Sequence, residues 1–181
     1  ELASKKNKAV MAGTGGDEFF GGYPWRYGAA LGGPETKQKQ LDYLVNFWHR
    51  LLPAEELSLI LGINPKEHKS RIQLKMRDIL EKNSTIEDRY TIRDLMYFDM
   101  KVFLHGLLVV EDKLSMRHGL EVRVPFLDED LVNFSLSLPE DQLIRKIKGV
   151  EQVLEGKILL RDLMAKKQVG LNKGVKKGFS G

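Results

Sequence analysis

Apolar residues recur at helical spacing over most of the chain. Leu41, Leu44, Val45, Trp48, Leu51 and Leu52 keep to one face of a 3.6-residue period, and Ile72, Met76, Ile79 and Leu80 do the same further on. Pro53 suits the first turn of a helix between them, which stops at Gly62. Tyr90 to Met116 is longer and more apolar, predicting one broken helix or two consecutive ones, with Gly106 as the expected break. The chain then starts extended at Leu120, because Pro125 disfavours helix at Val124. Asp128 is placed to cap a helix running through Asn133 and Phe134. Val150 to Met164 reads as a further amphipathic helix, and the stretch after it as loop. Ala9 to Ala12 departs from the helical period: it is a short apolar run closed by Gly13, which predicts a buried strand. Tyr27 to Gln38 is a turn-rich break.

A length of 181 residues fits one domain or a large part of one. The 42% of hydrophobic residues allow a packed core, and the 30% of charged residues argue for a soluble protein. No run of 18 apolar residues occurs, so no spanning helix is expected. The start "ELASKKNKAV" lacks the apolar stretch of a signal peptide. Cys is absent, which excludes a disulfide framework, a thiolate metal site and a cysteine nucleophile. A cytoplasmic location fits all of this. The net charge of +4 is uneven: Arg145 to Gly181 holds ten Lys/Arg against three Asp/Glu, a net of +7, so residues 1 to 144 carry −3. A basic tail of this kind binds nucleic acid or phosphate, or stays solvated.

Three stretches carry candidate chemistry. In "AGTGGDEFFGGY" (Ala12 to Tyr23) a strand runs into a glycine-rich turn and then a helix start. Backbone N–H groups of such a turn cradle phosphate. Asp17 and Glu18 would repel a bare phosphate, but they fit if Mg²⁺ bridges carboxylate and phosphate oxygens. The same two carboxylates equally suit a capped helix start. The stretch is neither a Walker A loop nor a complete GxGxxG fingerprint. In "EDKLSMRHGLEVRVPFLD" (Glu111 to Asp128), Asp112, Glu121, Arg123 and Asp128 interleave with Leu114, Met116, Leu120 and Phe126. This implies ion pairs near a packed surface, with Arg123 either in a site or bracing two elements. In "GKILLRDLMAKK", Lys157 and Arg161 are four apart and share a helix face. Such cations await a phosphate or a developing negative charge, or form a solvated basic face. The histidines at 49, 68, 105 and 118 show no metal-ligand spacing.

Taken together and in this order, these stretches resemble the synthetase domain of glutamine-dependent asparagine synthetases. The family segment Ser-Gly-x-Gly-x-Asp-Glu-(hydrophobic)-Phe-Gly-Gly-Tyr is similar to Ala12 through Tyr23 here. The family's Asp-(Arg/Lys)-x-Ser-Met and Leu-Glu-x-Arg-x-Pro-Phe-Leu-Asp are similar to Asp112 to Met116 and Leu120 to Asp128. Its Lys-x-x-Leu-Arg is similar to Lys157 to Arg161, and its Lys-(Lys/Gln)-Gly-Phe loop to Lys176 to Phe179. The resemblance implies an α/β nucleotide-binding fold of the ATP-pyrophosphatase type, of which this chain is a predominantly helical portion with little strand. It implies an ATP-dependent ligase of amino-acid biosynthesis that activates the side-chain carboxylate of aspartate with Mg·ATP. Ammonia from a separate glutaminase domain then attacks the aspartyl-AMP, giving asparagine, AMP and diphosphate. By the same resemblance Asp17 holds Mg²⁺, with Glu18 a weaker ligand. Gly13, Thr14, Gly15, Gly16 and Arg161 meet ATP or diphosphate, and Lys157 stabilises phosphoryl charge in the transition state. No membrane or nucleic-acid partner is expected, and a homodimer is a candidate assembly.

Two departures from the family pattern stand out. Many members carry Glu where Thr14 stands, and a Thr supplies no carboxylate base for amidation; Ala12 replaces a Ser as well. The family's Ser-Gly-Gly-x-Asp-Ser loop and N-terminal Cys occur nowhere here, so residues 1–181 are expected to be a C-terminal part of the domain, inactive alone. Two rivals stay open: a related carboxylate-activating synthetase with another acceptor, β-lactam-forming or peptide-modifying, and a basic helical nucleic-acid-binding module.

Overall fold

A computed structural model describes residues 2–30, 36–49, 51–86, 88–146 and 154–167. Strand β1 (Ala9–Met11) leads through a turn into α1 (Gly16–Phe19), and Pro24–Ala29 forms a 3₁₀ helix. Helices α2 (Lys37–Trp48), α3 (Ala54–Ile60) and α4 (Pro65–Leu80) follow. Their starts are written in the sequence. The Thr36 side chain accepts from the Lys39 N–H, and Asn64 accepts from the N–H groups of Lys66 and Glu67 with Pro65 next to it. A capping box of Thr91 and Asp94 opens α5 (Ile92–Phe98). Asp99–Leu104 continues it as a π-helical segment into α6 (His105–Arg117). Next come β2 (Glu121–Arg123), a 3₁₀ turn at Pro125–Leu127, α7 (Glu129–Ser137) and α8 (Glu140–Leu143). The hairpin strands β3 (Ile144–Lys146) and β4 (Leu154–Gly156) and helix α9 (Ile158–Lys166) complete the described chain.

The core forms where the apolar stripes of α2, α4 and α5 meet. Leu41, Leu44, Val45, Met76, Leu80, Leu95, Met96 and Phe98 bury there with Phe20, Tyr27, Leu143 and Ile144. Among the buried polar residues, the Gln40 amide donates to the Tyr90 carbonyl at 3.0 Å and accepts from the Tyr90 N–H at 2.6 Å. Both of its hydrogen-bonding ends are thereby satisfied, which removes the burial penalty. Among the described residues no helix is long and apolar enough to cross a membrane.

The described structure is mostly helical with few strands, as expected, and Asp128 caps α7 by accepting from the N–H groups of Asp130 and Leu131. Several expectations need correction. Among the described residues there are four short strands, not one: β1 pairs in parallel with β2, and β3 pairs antiparallel with β4. Strand β1 is not buried. With three residues and a period of two, it turns only Val10 inward, opposite Val122, and leaves Met11 75% exposed. Helix α2 ends at Trp48, and Leu51 is exposed, because Pro53 disfavours helix at the residue before it. The long helical run changes geometry at Asp99–Leu104, while Gly106 sits inside α6. Within 150–164, residues 154–156 are strand: Glu155 lies opposite Arg145 and accepts from its guanidinium at 3.0 Å, a cross-strand ion pair.

Candidate active site

The turn after β1 opens beside β2, since the Ala12 N–H still bonds the Arg123 carbonyl at 2.9 Å. Gly15, at φ 93°, then turns the chain into α1. This sends the adjacent carboxylates of Asp17 and Glu18 different ways. Asp17 faces an open cleft. Glu18 is 1% exposed, and its Oε1 accepts from the Tyr23 hydroxyl at 2.8 Å. Burial, reinforced by that carboxylate, holds the Tyr23 phenol well above its ordinary pKa.

Lys157 reaches Asp17 from the far end of the chain. Its Nζ lies 3.0 Å from Asp17 Oδ1, and its N–H bonds the Phe20 carbonyl at 3.1 Å. Two glycines allow this approach. A Cβ on Gly22 would collide with the Asp17 carboxylate and stand 2.6 Å from Lys157 Cε. A Cβ on Gly156 would collide with the Gly21 carbonyl oxygen. Lys157 itself, at φ 58°, is the one non-glycine residue in the left-handed region among the described residues. That conformation costs about 1–2 kcal/mol, and such strain collects at functional sites.

The cleft has a volume of about 830 Å³. Gly13, Thr14 and Asp17 form one wall, with Lys157 beside them, and α6 forms the opposite one through Leu107, Val110, Glu111 and Leu114. Those four residues lie on one face at helical spacing. The Thr14 hydroxyl crosses to α6 and donates to Glu111 Oε2 at 2.8 Å.

Glu18 also lines this cleft, though it is almost fully buried, and the other expected site residues lie apart from it. Gly15 and Gly16 pack beneath Phe126 and Leu127, so their missing side chains make room for the chain itself. Arg161 donates from Nε to the Gly156 carbonyl at 2.9 Å and stands 3.8 Å from Glu155 Oε1. It does not share a helix face with Lys157, because Lys157 precedes α9 as its left-handed N-cap. Arg123 is exposed and pairs with Glu121, two residues away on the same strand face, at 2.9 Å. Lys176 to Phe179 lie outside the described residues.

The reading of the sequence passed over Tyr23, Arg26, Asp99 and Glu111. Arg26 stacks on Tyr23 at 3.8 Å and on Phe103 at 4.1 Å, and its Nη1 bonds Asp99 Oδ1 at 3.1 Å. The Tyr27 hydroxyl donates to Asp99 Oδ2 at 3.2 Å. This network ties the aromatic segment after the glycines to the π-helical segment. Burial lifts the Asp99 carboxyl to about 6 despite the pull of Arg26. An arginine set among the aromatic residues of "YPWRY" was the available signal.

The site therefore sets the Asp17 carboxylate beside the Lys157 ammonium group, with the Glu111 carboxylate across the cleft. Among the described residues no group of three His, Asp or Glu side chains can hold a metal ion. A single Asp is nonetheless the donor set that suits Mg²⁺ shared with phosphate oxygens, since Mg²⁺ takes one or two carboxylates and completes its shell with phosphate and water.

The asparagine synthase family model matches residues 1–180. Asparagine synthetase [glutamine-hydrolyzing] 3 of Bacillus subtilis (strain 168) is 31% identical over 172 residues, covering 91% of this chain and 26% of the relative. Asparagine synthetase [glutamine-hydrolyzing] 1 of the same organism is 26% identical over 165 residues, 77% of this chain and 26% of the relative. The Bos taurus asparagine synthetase [glutamine-hydrolyzing] is 37% identical over 68 residues, 38% of this chain and 10% of the relative. The chain thus spans about a quarter of the length of the first two. No solved structure gives a significant match.

Proposed function

The chain belongs to the asparagine synthase family, and from that premise we propose that it is the C-terminal part of a synthetase domain of the ATP-pyrophosphatase type. The full domain activates the side-chain carboxylate of aspartate. A carboxylate oxygen attacks the α-phosphorus of ATP, diphosphate leaves, and ammonia then attacks the acyl carbon of the aspartyl-AMP. Asparagine and AMP form, with one proton released. The ammonia comes from a glutaminase domain in the same protein.

The observation that carries this reading is the Asp17–Lys157 pair, held at 3.0 Å in a cleft by a strained backbone. Within the proposal Asp17 is the carboxylate that would hold Mg²⁺, which would supply positive charge against the diphosphate. The Lys157 ammonium interacts with phosphate oxygens as their charge grows, so it acts chiefly in the transition state. The strained turn fixes the amine before substrate arrives, which lowers the reorganisation needed during reaction. Arg161 takes no part in phosphate binding in this reading; it holds the Gly156 carbonyl, and through it the turn that carries Lys157.

Thr14 favours a second reading. It lines the cleft where many family members carry Glu, so a carboxylate other than aspartate is the alternative acceptor. Incubating the full-length protein with ATP, Mg²⁺, ammonia and one carboxylate at a time separates the two. The first reading expects AMP and diphosphate in equal amounts, dependent on aspartate, with asparagine formed. AMP that depends on another acid selects the second. ADP and phosphate, or no acid-dependent turnover, overturns both.

A further inference from the structure

Helix α6 carries a carboxylate that the proposed chemistry leaves without a task. Leu107, Val110, Glu111 and Leu114 form its cleft-facing stripe, and Glu111 is the charged member among apolar neighbours. The Thr14 hydroxyl donates to Glu111 Oε2 at 2.8 Å, which fixes the carboxylate across the cleft. Among the described residues no cation pairs with Glu111. Lys157, the lysine among the described lining residues, pairs with Asp17, and Glu18 accepts from the Tyr23 hydroxyl. A half-buried carboxylate without a counter-charge, aimed by a neutral hydroxyl into a partly apolar space, is a receptor for a cation. The divalent ion of the proposed reaction is assigned to Asp17 and phosphate oxygens, and among the described residues no group of three acidic or His side chains could hold a metal ion at Glu111. An ammonium group needs only an acceptor or two and gains a charge-assisted hydrogen bond.

We propose that Glu111, oriented by Thr14, is the subsite for a primary amine in the cleft. The identity of that amine rests on the synthetase reading and has two sources there: the α-ammonium of the amino-acid substrate, or the ammonia that attacks the activated acid. The Thr14–Glu111 pair puts into the cleft a carboxylate that position 14 itself does not supply.

The test uses the full-length protein with Glu111→Gln, which keeps the shape and an acceptor for Thr14, and Thr14→Val, which removes only the aiming hydroxyl. Diphosphate exchange into ATP without ammonia gives the Michaelis constant for aspartate. Amide synthesis at saturating aspartate gives the one for ammonium. Glu111→Gln raises one of these by about 10- to 100-fold, the worth of one hydrogen bond to a charged group. The constant that moves names the amine. Thr14→Val raises the same constant by a few fold, because the carboxylate stays in place and only the hydroxyl that orients it is lost. Both constants unchanged, or a fall in turnover alone, overturns the subsite. A wild-type protein that makes no AMP from ATP and aspartate overturns the synthetase reading instead. Calorimetric titration of wild type and Glu111→Gln with aspartate and with ammonium chloride then decides the subsite directly. Heat lost in the variant for either ligand supports it, and isotherms that match for both overturn it.

Discussion

Replacing Lys157 by Gly and, separately, by Ala divides its backbone role from its amine. Both changes remove the ammonium group from Asp17. The two side chains are 30% and 25% exposed, so the lost ion pair contributes at most about 1 kcal/mol. The variants differ in what the left-handed backbone at φ 58° costs them. Ala keeps the penalty of about 1–2 kcal/mol for a non-glycine residue there, whereas Gly has none. Against this, Gly frees the unfolded chain by about 0.4–1 kcal/mol. The balance leaves Lys157→Gly more stable than Lys157→Ala by about 1 kcal/mol, or about 2–4 °C in Tm for a domain of this size. Activity follows the amine and not the strain, so both variants lose about 10²–10³ in rate, as expected when one preorganised charged donor is removed. Thermal and urea unfolding of both variants in one background, with AMP release alongside, reads both quantities. An Ala variant as stable as the Gly variant would refute the strain at Lys157. A Gly variant that keeps its rate would refute the role of the amine.

Gly22→Ala forces Asp17 and Lys157 apart, so we expect about 1–3 kcal/mol of lost stability by urea unfolding and a rate about 10²-fold lower; a wild-type rate contradicts the close approach. Asp17→Asn should need much more Mg²⁺ for half-maximal AMP release at saturating ATP, while Glu18→Gln, whose amide oxygen still accepts from Tyr23, changes that requirement little; equal Mg²⁺ curves for Asp17→Asn and wild type reject the metal role. Asp99, raised to about 6 by burial, binds its proton more tightly folded than unfolded, where its value is near ~4. Its contribution to stability is therefore complete below about pH 4 and is lost as pH rises through about 6. Asp99→Asn lacks this dependence and leaves Arg26 unpaired, so its deficit of about 3 kcal/mol widens as pH falls from about 7 to 4; a constant deficit across urea titrations in that range contradicts it.

What could be read from the sequence was local. The turn at Gly13 to Gly16, the Asp128 cap and the helices built on Leu41 and Met76 each depend on residues within a turn or two of each other. Spacing singled out Lys157 but placed it on a helix face with Arg161, because the left-handed conformation seen at Lys157, beside the close approach of Gly156 to Gly21, leaves no local signal. The hairpin was missed because β3 and β4 are strands of three residues, too short to show a period. Thr14 with Glu111, and Arg26 with Asp99, join residues from distant parts of the chain, and no spacing rule announces such pairs. The apolar residues of α6 predicted a helix, and Val110, Leu114 and Met116 on it are exposed. Periodicity shows that a face is apolar and leaves open what covers it.

The central claim is that this cleft serves adenylation of a carboxylate. It is tested most directly by following oxygen. The full-length protein is given aspartate labelled with ¹⁸O in its side-chain carboxylate, together with ATP, Mg²⁺ and ammonia, and the phosphorus products are analysed by mass. Attack of the carboxylate on the α-phosphorus transfers one labelled oxygen to AMP and leaves diphosphate unlabelled. Label in inorganic phosphate with ADP as the partner product, or AMP free of label, would contradict the account.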